Sequence, residues 1–312
     1  MHGMRDCPRS TVSTDWRDNL KALARQDFKV SISIDVERDY RLDGRITTRG
    51  VDEGLPVYFD LLRSHRIPCD LFVSGEVASE VASLGLSLNQ SLVALGCHGF
   101  NHPAGPASYL SRKSDHVLKR ELETATSIIR SRLDRMPSHF RAPNFSISPR
   151  ALSVLDALGY ECDSSILPDR YVRRWGILPI LDHRGAPIDP YHPDPGCPTR
   201  AGSSRLLEVP LSPNPREPGS PLGLGSLNEL GLSIIPTMAQ SRSRYLIFLC
   251  HTWEMVDWSM GDPVSPWVRA GSKSRPELLE AAIAELDGSR FANMDQIVED
   301  ERKRENPYGG ET

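Results

Sequence analysis

The chain has 312 residues, 39% hydrophobic and 25% charged, enough apolar material for one sizeable core and a length that suits a single α/β barrel. A formal net charge of −4 argues against a nucleic-acid-binding protein, which needs a clustered excess of Lys and Arg. No apolar run approaches the roughly 18 residues of a membrane-spanning helix, and the first 20 residues carry Arg5, Arg9, Asp15, Arg17 and Asp18 with no apolar h-region, so a cytoplasmic protein is expected.

Residues 1–26 are polar and aperiodic and read as an N-terminal arm, with a short helix from Asp15 to Ala24. Phe28 to Ile34 is β-branched and apolar, a buried strand delivering Asp35, Glu37 and Asp39 at its C-terminal end. Leu55, Tyr58, Phe59 and Leu62 recur at helical spacing. Cys69 to Val73 and Leu92 to Leu95 are the next two strands, the latter running into His98. From Ser114 to Arg135 the spacing predicts a helix capped by Ser114, with Val117, Leu118, Leu122, Ala125, Ile128, Ile129 and Leu133 on one apolar stripe. A short strand then leads to Phe140 and Arg141. Ser148-Pro149 opens another helix that Gly159 closes, and Tyr160 to Cys162 is a strand. Between Pro168 and Leu224 the chain is dense in Pro and Gly, with one strand at Leu206 to Leu211 and ordered loops expected over a pocket. Tyr245 to Leu249 is the last strong strand, ending at Cys250 and His251, and Pro276 to Leu286 is the final helix. One domain over 27–300 and a charged, frayed tail over 301–312 complete the division.

Cys7, Cys69, Cys97, Cys162, Cys197 and Cys250 form no C-x-x-C pair. Those beside apolar stretches are expected as buried reduced thiols, in keeping with a reducing compartment. Alternating strands and helices predict a parallel α/β architecture, in which sites lie at strand C-termini. Asp35, His98, Arg141, Asp163 and His251 all fall there, so they should share one rim.

His98 and His102 are four residues apart, and on a helical turn both imidazoles would face one ion. The alternative is two solvent-facing loop histidines. Asp35 and Glu37, two apart, would point the same way from an extended strand, so that one binds a metal and the other acts as base; otherwise they form a solvated acidic strand end. Arg141 could hold the base ionised, or be a surface arginine beside a turn proline. His251, delivered by a buried strand and followed by Trp253, suits a general acid beside a sugar-binding surface, or a backbone-satisfied histidine.

In order and content these segments resemble the polysaccharide deacetylases, the NodB-like carbohydrate esterases, from about Phe28 to Val298. Ser33-Ile-Asp-Val-Glu37 is similar to the family's first motif in a D-x-D/E variant, and His98-Gly-Phe-Asn-His102-Pro103 to its histidine motif. Arg141-Ala-Pro143 resembles the Arg-x-Pro motif, Tyr160-Glu-Cys-Asp163-Ser-Ser165 the segment carrying a tuning acid, and Leu249-Cys-His251-Thr-Trp-Glu254 the closing histidine motif. The resemblance implies a distorted (β/α) barrel of about seven strands with a divalent metal, most often Zn2+, with Co2+ or Ni2+ as alternatives. It implies Asp35 as catalytic base, Glu37, His98 and His102 as metal ligands, and Arg141 as the tether of Asp35. It further implies His251 as general acid, Asp163 tuning it, and the backbone N–H near Asn144 in an oxyanion hole. Val36 separates the two acids where the family more often has adjacent aspartates, which leaves Asp39 as a third candidate for base or ligand. Trp253, Phe100 and Tyr191 could line a sugar face, or be packing residues.

The activity so implied is removal of an N-acyl group, acetate first, from an amino sugar. A deformylase or cyclic-amide hydrolase, and a non-catalytic carbohydrate-binding protein on the same fold, are the competing expectations.

Overall fold

A computed structural model describes residues 28–88, 91–103, 109–217, 219–231, 243–269, 275–286 and 290–306. The expected arm over 1–26 and Cys7 lie outside the described residues.

In chain order the elements are β1 (Lys29–Val36), α1 (Leu55–Ser64), β2 (Cys69–Val73), α2 (Ala78–Ser83), β3 (Val93–Cys97), α3 (Asp115–Leu133), β4 (His139–Phe140), α4 (Pro149–Ala157) and β5 (Cys162–Asp163). They continue with β6 (Tyr171–Arg174), β7 (Leu178–Asp182), β8 (Pro193–Asp194), β9 (Cys197–Ala201), β10 (Leu207–Glu208), α5 (Leu224–Leu230), β11 (Tyr245–His251), α6 (Pro266–Arg269), α7 (Arg275–Glu285) and α8 (Met294–Glu305). Seven strands form one parallel sheet in the order β10-β5-β4-β3-β2-β1-β11. The sheet curls into a half-barrel, the distorted (β/α) barrel expected. Between its two edges runs the chain segment around Ser212 and Leu222: Ile247 N donates to Ser212 Oγ at 2.9 Å and Leu249 N to Leu222 O at 2.9 Å.

The period-2 alternation of β1, between β2 and β11, sorts its side chains onto two faces. Val30, Ile32 and Ile34 pack outward with Leu71, Leu95, Leu118 and Leu122 under the helices. Ser31, Ser33 and Asp35 take the other face, and all three are buried. The inner cluster of Phe72, Ala94, Cys162, Ile247 and Leu249 includes Met294 and Ile297 from α8. A sheet covered on both faces reads as nearly continuous hydrophobic runs, as β2 and β11 do.

Ser148 caps α4 as expected, its Oγ accepting from Ala151 N at 3.2 Å. Ser114 occupies the position before α3 but makes no side-chain cap hydrogen bond. Val117 leaves the predicted stripe and is 49% exposed, because it sits one position round from the buried Leu118–Leu122–Ala125–Ile129 row. Cys69, Cys97, Cys162 and Cys250 are buried free thiols.

Helices α2, α5 and α6 were not expected, and two larger features also differ from expectation. The Pro168–Leu224 segment holds, besides β10, the antiparallel pairs β6–β7 and β8–β9, whose short, Arg- and Pro-bearing strands carry no alternation. A further helix, α8, follows α7 and takes in residues 294–305, so the first five residues of the expected tail are helical and Glu301 is buried. Its signal was a capping box: Asn293 Oδ1 accepts from Gln296 N at 3.1 Å while Gln296 Oε1 accepts from Asn293 N at 3.0 Å. Among the described residues no helix is long and apolar enough to cross a membrane.

Candidate active site

Register sets the geometry of the rim. Asp35, the seventh residue of β1, pairs with His251 of β11 on one side and Phe72 of β2 on the other. Glu37 follows two residues later on the same side, as the strand period requires. His98 leaves β3 directly, its N–H donating to Val73 O at 2.8 Å. Its Nε2 is then 3.8 Å from both Asp35 Oδ2 and Glu37 Oε2.

The two histidines do not ride a helical turn. Residues 98–103 are irregular, and Gly99 turns the chain at φ +70°, where a side chain would be strained and a Cβ would sit 3.1 Å from Pro143. The loop still brings the rings together, 5.7 Å apart and 26° from parallel. His102 is held by its backbone: its N–H donates to Glu76 Oε1 at 3.1 Å and its carbonyl accepts from Arg38 Nη2 at 2.9 Å. Neither Arg38 nor Glu76 was singled out from sequence, since backbone partners leave no spacing signal.

The donor atoms of Glu37, His98 and His102 all lie within 4.8 Å of one another. Three features fit this trio to a divalent cation. Glu37 Oε2 is buried without a hydrogen-bond partner, an arrangement that is costly unless something else satisfies the oxygen. His98 Nδ1 lies 2.9 Å from Arg141 O; a carbonyl only accepts, so the proton is on Nδ1 and the Nε2 lone pair faces the acids. Trp253 Nε1 donates to Glu37 Oε1 at 3.1 Å and fixes the carboxylate. Burial also lowers the His98 pKa, favouring the neutral, ligating form against the pull of Asp35 and Glu37.

Asp35 stands apart as the second carboxylate. Burial pushes its pKa up, but Arg141, His98 and His251 outweigh that and hold it below the ordinary value. Arg141 is fully buried, donates to Asp35 Oδ1 at 2.7 Å and to Ser33 Oγ at 2.5 Å, and is seated by Ser164 through its carbonyl and hydroxyl, both at 3.0 Å. Its guanidinium carbon lies 4.0 Å from the Phe72 ring centroid.

His251 lies across the rim. Burial works to lower its pKa, but Glu254, whose Oε2 accepts from His251 N at 2.7 Å and sits 3.2 Å from Nδ1, raises it to about 9. Trp253 stacks on the imidazole at 4.5 Å. The 252–255 turn packs against the start of α1 because Gly54 presents no side chain; a Cβ there would fall 2.1 Å from Thr252 O.

Several expected roles move. Asp163 is placed against Ser165 and Glu208, and the acid bonded to His251 is Glu254, which lies on the same turn three residues on. Asp39 is consumed by the following loop, accepting from Thr47 Oγ1, Arg49 N and Gly50 N at 2.5–2.9 Å, so it is unavailable as base or ligand. Trp253 is buried between Glu37 and His251 and offers no open face. Phe100 packs at Gly75 and Ala125 with the core. Tyr191 is buried in the loop layer, its hydroxyl donating to Pro198 O at 2.6 Å and its backbone paired with Glu208. Asn144 sits in a left-handed conformation (φ 54°) in the turn after Arg141-Ala142-Pro143, on the expected segment. Beyond His251, a cavity of about 260 Å³ opens between Leu249, Glu254, Asn214 and α5.

Fold and constellation define a curled parallel barrel with a mixed histidine–carboxylate site at its strand C-termini. The family model described as Polysaccharide deacetylase matches residues 46–162, a span that carries both histidines and Arg141. A crystal structure of a candidate polysaccharide deacetylase from Mycobacterium smegmatis superimposes with a TM-score of 0.60 at 17% identity, covering 90% of this chain and 93% of that one. The Puue allantoinase gives 0.55 at 12% identity, covering 91% of each chain. A 4-alpha-glucanotransferase from Thermococcus litoralis gives 0.58 at 11%, covering 88% of this chain and 40% of its own. At such identities these structures speak to the fold alone. No curated protein matches the sequence. The likeness to the polysaccharide deacetylase family therefore lies in residues 46–162, and the barrel fold is shared over most of the chain.

Proposed function

We propose that this protein is a metal-dependent hydrolase that removes an N-acyl group, acetyl first, from an amino sugar. The observation that carries the reading is the convergence of Glu37, His98 and His102, with the Glu37 Oε2 unpartnered, beside a separate carboxylate, Asp35, clamped by Arg141. Two imidazoles and one carboxylate suit Zn2+, Co2+ or Ni2+, and three protein ligands are the number found where a coordination position stays open. A cation held there supplies Lewis acidity and lowers the pKa of water.

The rest is the work of side chains. Asp35, kept ionised by Arg141, accepts the proton of the attacking water. Arg141, with all its contacts buried, keeps that carboxylate from swinging away, which preserves near-attack geometry. The Trp253 indole prevents Glu37 from rotating. His251, charged at neutral pH because Glu254 lies against it, gives its proton to the departing nitrogen; amine expulsion needs such an acid. The products are a free amine and a carboxylate.

A second reading is hydrolysis of a formamide or cyclic amide, for which Val36 separating the two acids of the first motif speaks, with a cavity of about 260 Å³ beside His251. Incubating metal-loaded protein with N-acetylated and N-formylated amino sugars and with a cyclic ureide, then measuring acetate, formate and ring opening, separates the readings. Stoichiometric metal with none of these products rules out both.

A further inference from the structure

The barrel interior holds a second pair of acids that the proposed reaction does not use. Strands β5 and β10 pair in parallel with Asp163 directly opposite Glu208, so the two side chains emerge on the same face. Both residues are buried. Asp163 Oδ1 accepts from Ser165 Oγ at 2.5 Å, and Glu208 Oε1 accepts from Ile166 N at 2.9 Å. Asp163 Oδ2 and Glu208 Oε2 are buried with no donor of their own, and the two carboxyl groups interact directly. Two bare carboxylates cannot satisfy one another there; a single proton between them can.

We propose that Glu208 is a positioning residue of the candidate active site, holding a proton that it donates to Asp163 so that the pair braces the turn on which Arg141 is seated. The chain of contacts is continuous. Asp163 accepts from Ser165 Oγ, and that same hydroxyl accepts from Ala142 N at 2.8 Å, next to Arg141. Ser164, between the paired acid and Ser165, receives the Arg141 guanidinium on its carbonyl and hydroxyl. Arg141 in turn holds Asp35.

Donor count puts the proton on Glu208. Apart from its partner, Asp163 receives the Ser165 hydroxyl and the Ser164 backbone N–H, which suits a carboxylate, whereas Glu208 has only the Ile166 N–H. Burial pushes both pKa values up, Glu208 the further. The groups facing the pair are Arg141, Tyr191 and Cys162, and Arg141 is already committed to Asp35. A doubly ionised pair would compete with Asp35 for that guanidinium; a singly charged pair leaves it in place.

The positioning role rests on the hydrolase reading, but the proton does not, so the test has separate arms. In full-length protein carrying 13C at the glutamate carboxyl carbons, one resonance should keep its protonated position at pH 7, where an ordinary glutamate (about 4.3) is ionised, and should vanish in Glu208→Gln. A spectrum with every glutamate ionised overturns the proposal, whatever the activity. In metal-loaded protein, Glu208→Gln, whose amide still donates to Asp163, should keep kcat within about twofold, while Glu208→Ala should lose about 10- to 100-fold in kcat with KM little changed. Unchanged kcat in the alanine variant, or an equal loss in both, overturns it. If no turnover is found for the wild type, the buried Arg141 Nε–H NMR signal replaces kcat. It should persist in Glu208→Gln and shift or exchange in Glu208→Ala; an unmoved signal in both overturns the positioning role. Should the alanine variant fail to fold, the labelled spectrum and the glutamine variant still decide.

Discussion

Replacing Glu254 by Gln should convert His251 from a group charged at neutral pH into one that is not. Burial works to lower the imidazole pKa, yet Glu254 foremost, with Asp35 and Glu37, carries it from 6.5 up to about 9, a preference for the charged form of about 3 kcal/mol. The Glu254→Gln variant keeps a similar shape and an oxygen for the His251 backbone N–H but loses the charge. If the pKa falls only to 6.5, the protonated fraction at pH 8 drops from about 0.9 to about 0.03, a loss of about 30-fold in the general-acid form, while at pH 6 the change is under about twofold. Linkage has the same origin: because folding raises this pKa, the imidazolium stabilises the fold fully below about 6.5, and that contribution fades as pH rises through about 9. The assay is kcat against pH for metal-loaded wild type and variant, paired with an NMR titration of the His251 ring. A loss of equal size at pH 6 and pH 8, or a His251 midpoint that does not move, refutes the argument.

His98→Ala and His102→Ala should each sharply reduce the metal retained after dialysis, measured by elemental analysis, whereas Asp35→Asn should retain metal and lose turnover; activity surviving in Asp35→Asn would point to Glu37 as base instead. Gly54→Ala should destabilise the protein by about 1–3 kcal/mol, because the clash with Thr252 O outweighs the roughly 1 kcal/mol gain in helix propensity. Its denaturant midpoint reads this directly, and an unchanged midpoint would mean that the 252–255 turn yields at no cost.

Much of the fold was legible because strands buried on both faces must be written as apolar runs. β2, β3 and β11 announced themselves in this way and β1 by β-branched residues alternating with serines, and the acids and histidines that matter stand at their ends. Helix α3 was equally plain, although Val117 shows that a stripe drawn from spacing is about one residue too wide. The short pairs β6–β7 and β8–β9 were not legible: strands of two to five residues containing Arg and Pro have no period to detect. Helix α8 was missed because its mean hydropathy is low and only Met294, Ile297, Val298 and Glu301 are buried.

Sequence alone determined which side chains could carry the chemistry, since the type and order of Asp35, Glu37, His98, His102, Arg141 and His251 are local properties of strand ends. Partner choice was decided only by tertiary structure. Asp39 turned to its own loop, Trp253 to Glu37, Asp163 to Glu208 and His251 to Glu254, because each contact depends on strand order and on how closely glycine-bearing segments approach. Spacing along the chain fixes the direction a side chain leaves the backbone; what it meets a few ångströms away is set by the curl of the sheet.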